Sequence, residues 1–386
     1  ATPRSIWTAE TLRTRLPLLI WNTQRLREIG PAYSPTDMIE NHGMHGVQDL
    51  CNCLCRSGRR FGLISGHFEN AAHLEDVESW LRLLAAVQFC RRMKVGILGR
   101  PFQGMGDFGV DETRMLAEWG PSVESLTLAE LAETQNAVSA EELAAEMAVD
   151  RSLFDFSPDI EEEDHRRSAR LSIAIRRIVE KHGVHAITQH FGVYGEDPRI
   201  ETCPFLAFNH LIASGCGYAG EGNVTIAALD AMLTRVFGRS AFCEMFTADF
   251  TNDRVLFYHM AEGNYSMARK TSRPLLKKVP YTFGDGKPYL APVFQYEPGP
   301  ATFVNLTTDP SGAFYMLAFQ ADITDYERVD ALTAPHFLAQ IKRPLGEFLD
   351  AYGCNGGTHH LSFVEGYKAR EITRLGQMLG MPVRTI

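Results

Sequence analysis

The feature that most constrains the fold is an alternation of short apolar runs with helical segments along the first part of the chain. Lys94–Leu98 reads KVGIL and predicts a buried strand, and the amphipathic segment 70–92 predicts a long helix before it. Further strands are predicted over 16–21, 60–65 and 184–187. Strands that alternate with helices favour parallel sheets that carry helices on both faces.

The pattern changes near Ala241. Before that point, helices are predicted over 47–56, 139–150, 160–182, 205–214 and 223–237. From 241 to about 319, strands and turns dominate, which predicts an antiparallel sheet or small barrel, and 361–379 is predicted to close the chain as a helix. The predicted fold class is therefore α/β, with Rossmann-like parallel-sheet domains followed by a C-terminal antiparallel, barrel-like β domain.

Three domains are expected from these changes of pattern. We predict an N-terminal α/β domain over 1–93, a central α/β domain over 94–237 and a C-terminal β-rich domain with a closing helix over 238–386. A chain of 386 residues is long for one compact domain, which agrees with this division.

Composition excludes several classes of partner. The formal charge of −9 and the lack of a basic block argue against nucleic-acid binding. No apolar run approaches the roughly 18 residues that span a bilayer, so no membrane partner is expected. Residues 1–7 lack an apolar signal core, and the eight cysteines lie mostly in apolar or helical contexts, so we expect free thiols in a cytoplasmic protein.

Two carboxylates occur where packing alone would not put them. Glu221 lies between two glycines, directly before a helix that Asn223 can cap. Glu244 is the one charged residue in the strand-like run AFCEMF at 241–246, where an unpaired buried carboxylate would be costly. Each also fits a structural interpretation: Glu221 in a surface turn that favours the helix dipole, and Glu244 on an edge strand facing water.

Histidines also occur in two places where packing alone would not put them. His259 is embedded in an apolar strand with Glu262 three residues on, and His359 and His360 follow a glycine-rich turn. Because adjacent side chains diverge, one of the latter pair can bind an ion while the other reaches a substrate. The structural interpretations are a core histidine with satisfied hydrogen bonds and a helix-entry turn with half-exposed rings.

Together, two glutamates and two histidines make one candidate metal site. Mixed oxygen and nitrogen ligands with open positions suit Mn²⁺, Co²⁺ or Fe²⁺. The four residues are far apart in sequence, so spacing alone leaves their convergence open.

At these segments the chain resembles the L-arabinose isomerase and L-fucose isomerase superfamily, and the L-arabinose isomerases most closely. The most specific similarities are those that supply the metal ligands of that family. The matching segments are LPLLIWNTQ at 16–24, HAITQHF at 185–191, GYAGEGN at 217–223, the strand of Glu244, HMAE at 259–262 and GGTHH at 356–360.

The resemblance implies aldose–ketose isomerisation of a pentose or 6-deoxyhexose, such as L-arabinose or L-fucose, usually with Mn²⁺ or another divalent ion such as Co²⁺. It implies Glu221, Glu244, His259 and His360 as ligands. A metal suits the reaction because charge develops on the sugar oxygens, and two carboxylates suit it because a proton moves between C1 and C2. We assign Glu221 and Glu244 to that proton transfer, in either order.

The same resemblance implies the residues that contact the sugar: His359, Met105, Phe191 and His42. It also implies a homo-oligomer, commonly a hexamer. Phe246 departs from the family, which has a tyrosine there, and His42 stands where the arabinose enzymes have glutamine. The opening strands of the family's N-terminal sheet have no counterpart, so an incomplete chain is expected.

Other functions are weaker alternatives. A non-catalytic sugar-binding relative is compatible with the lost tyrosine, and a metal-dependent hydrolase or lyase is compatible with the same ligands. The loop GRPFQGMGDFG at 99–109 follows a strand but lacks the dinucleotide-binding glycine spacing. No G-x-S-x-G occurs, so a serine nucleophile is unsupported.

Overall fold

The computed structural model describes residues 10–282, 286–327 and 329–386, so the expectation about a signal sequence at 1–7 lies outside the described residues. The chain forms two compact units. The first contains the chain up to Phe89 together with Arg370–Pro382, and the second contains Cys90–Ala369 together with Val383–Ile386. The division into three domains stays a prediction.

The first unit is built around two parallel strands, β1 (Leu19–Asn22) and β2 (Gly62–Ser65), with Leu19 opposite Gly62. Its helices are α1 (Pro35–Glu40), α2 (Gly43–Arg56), α3 (Ala71–Cys90) and the closing helix Ala369–Leu379. The closing helix is attached to α3 by an ion pair, because the Arg374 guanidinium donates to the Asp76 carboxylate at 2.9 Å.

The second unit begins with a four-stranded parallel sheet. The elements of this part of the chain, in order, are β3 (Lys94–Leu98), α4 (Glu112–Glu118), β4 (Ser122–Leu126), α5 (Leu128–Asn136), α6 (Ala140–Leu153), β5 (Asp155–Phe156), α7 (Glu162–His182), β6 (Ala186–Gln189), α8 (Phe205–Ala213), β7 (Gly217–Ala219) and α9 (Val224–Phe237). The strand order is β4-β3-β6-β7, all parallel. The carboxyl ends of these strands therefore lie at one edge of the sheet, where α/β folds bind their ligands.

Six of the remaining strands form a closed barrel. The elements are β8 (Ala241–Asp249), β9 (Arg254–Tyr258), β10 (Leu275–Val279), β11 (Tyr289–Val293), β12 (Gly299–Thr308), β13 (Phe314–Ile323), β14 (His336–Ile341), α10 (Leu345–Cys354), β15 (His360–Glu365) and β16 (Val383–Thr385). The order β12-β15-β8-β9-β14-β13 closes on itself because β12 also pairs with β13, and every pairing in this ring is antiparallel. β16 adds in parallel to β13, and β10 joins β11 to β5 in a separate three-stranded sheet.

Stacked aromatic rings fill the barrel. Phe257 lies 4.8 Å from Phe337 and 4.7 Å from Phe303 between ring centres, and both contacts are close to parallel. Because side chains alternate along a strand, the residues between the core positions point out of the barrel. On β8, Ala241 and Cys243 belong to this core, so Phe242 and Glu244 lie on the outer face.

The predicted fold class is confirmed: parallel-sheet α/β elements precede an antiparallel barrel. The predicted helix over 361–379 is wrong in its first part, because His360–Glu365 is a strand and the helix begins at Ala369. Leu361 and Phe363 alternate into the aromatic core, so barrel pairing decides this segment. Among the described residues, no helix combines the length and apolarity needed to cross a membrane.

Asp230 on α9 generates a prediction about pH. Its carboxylate is fully buried and accepts hydrogen bonds from the Tyr218 amide at 3.1 Å and the Ser240 hydroxyl at 2.6 Å. Burial raises the pKa of Asp230 from 3.8 to about 6. A carboxyl whose pKa is higher in the folded state destabilises the fold as the pH rises between the two values.

The side chain in Asp230→Asn still accepts from the Tyr218 amide but does not ionise. We therefore expect the variant to avoid the loss of stability that wild type shows as the pH rises. Relative to wild type, the variant should gain about 3 kcal/mol in free energy of unfolding between about pH 4 and pH 7.5, measured by urea denaturation. Asp350→Asn, at an exposed site on α10, is the control and should follow wild type. Identical pH dependence for Asp230→Asn and wild type would contradict the prediction.

Candidate active site

The turn between β7 and α9 holds Glu221 in a left-handed conformation, with φ at +62°. Such a backbone costs a non-glycine residue about 1 to 3 kcal/mol and persists where its surroundings fix it. The surroundings here are the loop after β3: the Phe102 amide donates to the Glu221 carbonyl at 2.8 Å. At Gly222, a Cβ would lie 2.4 Å from Cα of Pro101, so this position requires glycine.

Asn223 connects this turn to the barrel. Its side-chain oxygen accepts from the Ile226 amide at 3.1 Å and caps α9. Its side-chain nitrogen lies 3.2 Å from Nδ1 of His360. The helix cap therefore also fixes the position of an imidazole ring on β15.

Glu244 and His360 are direct neighbours on the outer face of the barrel, where the register of β8 and β15 pairs them. Nε2 of His360 lies 2.7 Å from Oε1 of Glu244 and 3.5 Å from Oε2 of Glu221. This nitrogen is fully buried and has no aligned hydrogen-bond partner. The structure rules out the edge-strand interpretation of Glu244, because β8 lies between β15 and β9 and the residue is buried.

His259 follows β9 and reaches Glu244 from the other side. Its Nε2 lies 3.4 Å from Oε1 of Glu244, and its Nδ1 donates to Oε2 of Glu262 at 2.6 Å. Glu262 is 2% exposed and also accepts from the Tyr218 hydroxyl and, at 3.1 Å, from Nε2 of Gln189. His259 is thus fixed at one nitrogen and presents the other to Glu244.

His359 reaches the same carboxylates from the side that is exposed to solvent. Its Nδ1 donates to Oδ2 of Asp107 at 2.6 Å, and its Nε2 lies 3.5 Å from Oε2 of Glu221. The ring of Phe108 contacts both His359 and His360, at 5.2 and 4.9 Å between ring centres. The loop after β3 therefore contributes both a carboxylate and an aromatic wall.

Four ligand atoms lie close enough together to be candidates for holding one divalent ion. One atom each from Glu221, Glu244, His359 and His360 lies within 4.8 Å of the others, and Nε2 of His259 lies beside Glu244. Two ligands at right angles and about 2.1 Å from one ion are about 3 Å apart. The distances from Nε2 of His360 to Glu244 and Glu221, 2.7 and 3.5 Å, are near that value. The buried Nε2 of His360, which lacks an aligned partner, fits the same use.

Imidazole groups keep the two glutamates ionised. Burial works to raise the pKa of Glu221, but the His359 and His360 imidazoles outweigh it and lower this pKa to about 2. Burial likewise opposes ionisation of Glu244, but the charge of His259 and the His360 imidazole lower its pKa well below the usual range. Both carboxylates are therefore available as anionic ligands and proton acceptors near neutral pH.

The residues predicted to contact sugar fall in different places. Met105 lines a cavity of about 550 Å³ at the carboxyl ends of β3 and β4, together with Phe102 and Phe108. Phe191 packs against Phe102, with 5.6 Å between ring centres. His42 belongs to the first unit, where it packs against His45, and its role stays a prediction.

Sequence reasoning gave no role to two acidic residues of the site. Asp107 lies in the glycine-rich loop 99–109, where the sequence assigns a sugar contact to Met105 alone, and Glu262 lies in the matching segment HMAE without a role of its own. An acidic side chain within a glycine-rich loop after a buried strand is a signal that points to Asp107.

The chain matches two families that are described as parts of one enzyme. Residues 109–238 match the L-arabinose isomerase central domain, and residues 239–382 match the L-arabinose isomerase C-terminal domain. Together the two matches cover more than half of the chain.

Individual relatives agree with these matches. An L-arabinose isomerase of Yersinia pestis bv. Antiqua is 25% identical over an alignment of 393 positions that covers 98% of this chain and 77% of that protein. An L-arabinose isomerase of Shouchella clausii is 24% identical over an alignment of 396 positions that covers 98% of this chain and 78% of that protein.

The Glu221 turn generates a prediction about stability. We expect Gly222→Ala to lower the free energy of unfolding by about 1 to 3 kcal/mol, because φ is +85° and the new Cβ would meet Pro101. Gly353→Ala on α10 is the control, since its Cβ meets nothing within 4 Å, and it should change stability by less than about 1 kcal/mol. Equal thermal unfolding of the two variants would count against a backbone fixed at Gly222.

Proposed function

The chain belongs to the L-arabinose isomerase family and is a sugar isomerase, an intramolecular oxidoreductase, and we propose that it converts a pentose or 6-deoxyhexose aldose to its ketose with a bound divalent ion. The observation that carries this proposal is the convergence of Glu221, Glu244 and His360 from three distant segments. Substrates like L-arabinose follow from the names of the relatives. L-Fucose-like substrates stay included, because Phe246 replaces a family tyrosine beside Glu244.

We assign the ion to Glu221, Glu244, His259 and His360, with Mn²⁺ or Co²⁺ as the expected metal. Carboxylate and imidazole ligands suit these ions. When bound, the ion supplies positive charge that stabilises the negative charge developing on the sugar oxygens. His359 is assigned to the sugar instead, because its side chain is 32% exposed whereas that of His259 is 7% exposed.

Glu221 and Glu244 carry the proton transfers in this proposal. Both glutamates start as carboxylates. One removes the proton from C2 of the open-chain aldose, while the other takes the proton from O2 and delivers it to O1. The first then returns its proton to C1, which gives the ketose. No proton is gained or lost overall, and either order of the two glutamates satisfies the balance.

The remaining residues bind and orient the sugar. His359, Met105, Phe191 and His42 are the proposed contacts. The setting we propose is a cytoplasmic homo-oligomer, a hexamer by family resemblance. Eight free cysteines agree with a reducing compartment.

The proton-transfer proposal predicts the fate of solvent hydrogen. In D₂O with Mn²⁺, we expect L-arabinose or L-fucose to yield a ketose that carries deuterium at C1, detected by NMR, because the transferred proton exchanges on a carboxylate. Glu244→Gln should lower kcat by at least about 10²-fold. Glu141→Gln, an exposed change at the first turn of α6, is the control and should retain wild-type turnover.

Each contrary outcome identifies a different alternative. Full retention of protium at C1 would indicate hydride transfer. Sugar binding without ketose would indicate a non-catalytic relative. A product that has gained water would indicate a hydrolase or lyase.

The ligand assignment predicts metal-dependent stability. Mn²⁺ at about 100 times its dissociation constant should stabilise wild type by about 3 kcal/mol, and EDTA should reverse the effect, because the ion binds the folded state. The double variant Glu221→Gln, His360→Asn should show no such shift in differential scanning calorimetry. An equal Mn²⁺ shift in the double variant would rule out this ligand set.

A further inference from the structure

We propose that Glu262 and Asp107 are positioning residues that give two histidines of the site different tasks. Glu262 orients His259 toward the metal ion, and Asp107 orients His359 toward the sugar. This inference rests on the proposed function, since it assumes that an ion and a sugar meet at Glu221 and Glu244.

Both carboxylates act on their histidine in the same way. Oε2 of Glu262 accepts from Nδ1 of His259, and Oδ2 of Asp107 accepts from Nδ1 of His359, each at 2.6 Å. A neutral imidazole that carries its proton on Nδ1 presents a lone pair on Nε2. In that neutral form, which metal binding requires of a histidine ligand, Nε2 of both rings lies toward the two glutamates as an acceptor, and the surroundings must decide what each one binds.

Glu262 holds His259 in a closed and fully bonded setting. The carboxylate accepts from the Tyr218 hydroxyl, the Gln189 amide and the Ala261 backbone amide, in addition to His259. Gln189 is the last residue of β6 and Tyr218 lies within β7, so the sheet fixes this carboxylate. The ring is 7% exposed and so offers little surface to a sugar, and its Nε2 lies 3.4 Å from Oε1 of Glu244, which suits an ion shared between them.

Asp107 holds His359 in an open setting. The same Oδ2 also accepts from the His359 backbone amide at 3.2 Å, so ring and main chain are fixed together. The two side chains are about one third exposed. Asp107 lies in the loop between Met105 and Phe108, both of which line the cavity of about 550 Å³. A substrate hydroxyl thus has access to His359 that it lacks to His259.

The experiment compares the isosteric variants Glu262→Gln and Asp107→Asn in the full chain. The Mn²⁺ dissociation constant is measured by EPR of free Mn²⁺, and KM and kcat are measured at saturating Mn²⁺ with whichever of L-arabinose and L-fucose wild type converts. We expect Glu262→Gln to raise the Mn²⁺ dissociation constant about 10- to 100-fold with KM nearly unchanged. Asp107→Asn should raise KM about 10-fold and leave the Mn²⁺ dissociation constant unchanged.

A second variant tests the same prediction if Glu262→Gln does not fold. Tyr218→Phe removes one hydrogen bond to Glu262 and keeps the aromatic ring, so it should weaken Mn²⁺ binding in the same direction by a smaller factor. Thermal unfolding of every variant shows whether the folded state is retained. If Glu262→Gln does not unfold cooperatively, the Tyr218→Phe result decides.

The outcomes separate this inference from the proposed function. Equal loss of Mn²⁺ affinity in Asp107→Asn and Glu262→Gln would make His359 an ion ligand and overturn the division of tasks. Unchanged Mn²⁺ affinity in both Glu262→Gln and Tyr218→Phe would overturn it as well, while wild type still isomerises. Wild-type protein that binds no Mn²⁺ would overturn the proposed function and this inference with it.

Discussion

The pairing of β8 with β15 in a single register is the constraint on which the site depends. It sets Glu244 beside His360 on the outer face of the barrel while Cys243 and Leu361 pack inside. Because side chains alternate along a strand, a slip of one residue would exchange these faces and put the carboxylate into an aromatic core. The aromatic core of the barrel therefore also fixes the polar site outside it.

A second set of contacts brings the parallel sheet to that face. Glu221 is held by the loop after β3, and Asn223 caps α9 while it touches His360. Glu262 accepts hydrogen bonds from His259 and from side chains of β6 and β7. Buried polar groups of this kind are stable when their partners are complete, so the network specifies one arrangement of sheet and barrel.

The sequence predicted elements well where local pattern and burial agree, and less well where pairing decides. The strand Lys94–Leu98 is confirmed at both ends, and the helix predicted from Asn223 begins one residue later because Asn223 is its cap. The segment after His359 was predicted as a helix, since LSFVE carries no feature that excludes one. Its strand pairs β8 and β12, which lie more than 50 residues earlier in the chain, and no local pattern contains that information.

The sequence by itself determined the layers of the fold, the residue types of the site and, through family resemblance, the class of reaction. Only the tertiary structure decided that Glu244 faces away from the barrel core, that Asp107 and Glu262 hold the histidines, and that His259 is enclosed while His359 is accessible. The physical reason is that residue type and spacing fix what a side chain is able to donate or accept. Its neighbours and its exposure to water follow from strand register and packing between segments that are remote in sequence.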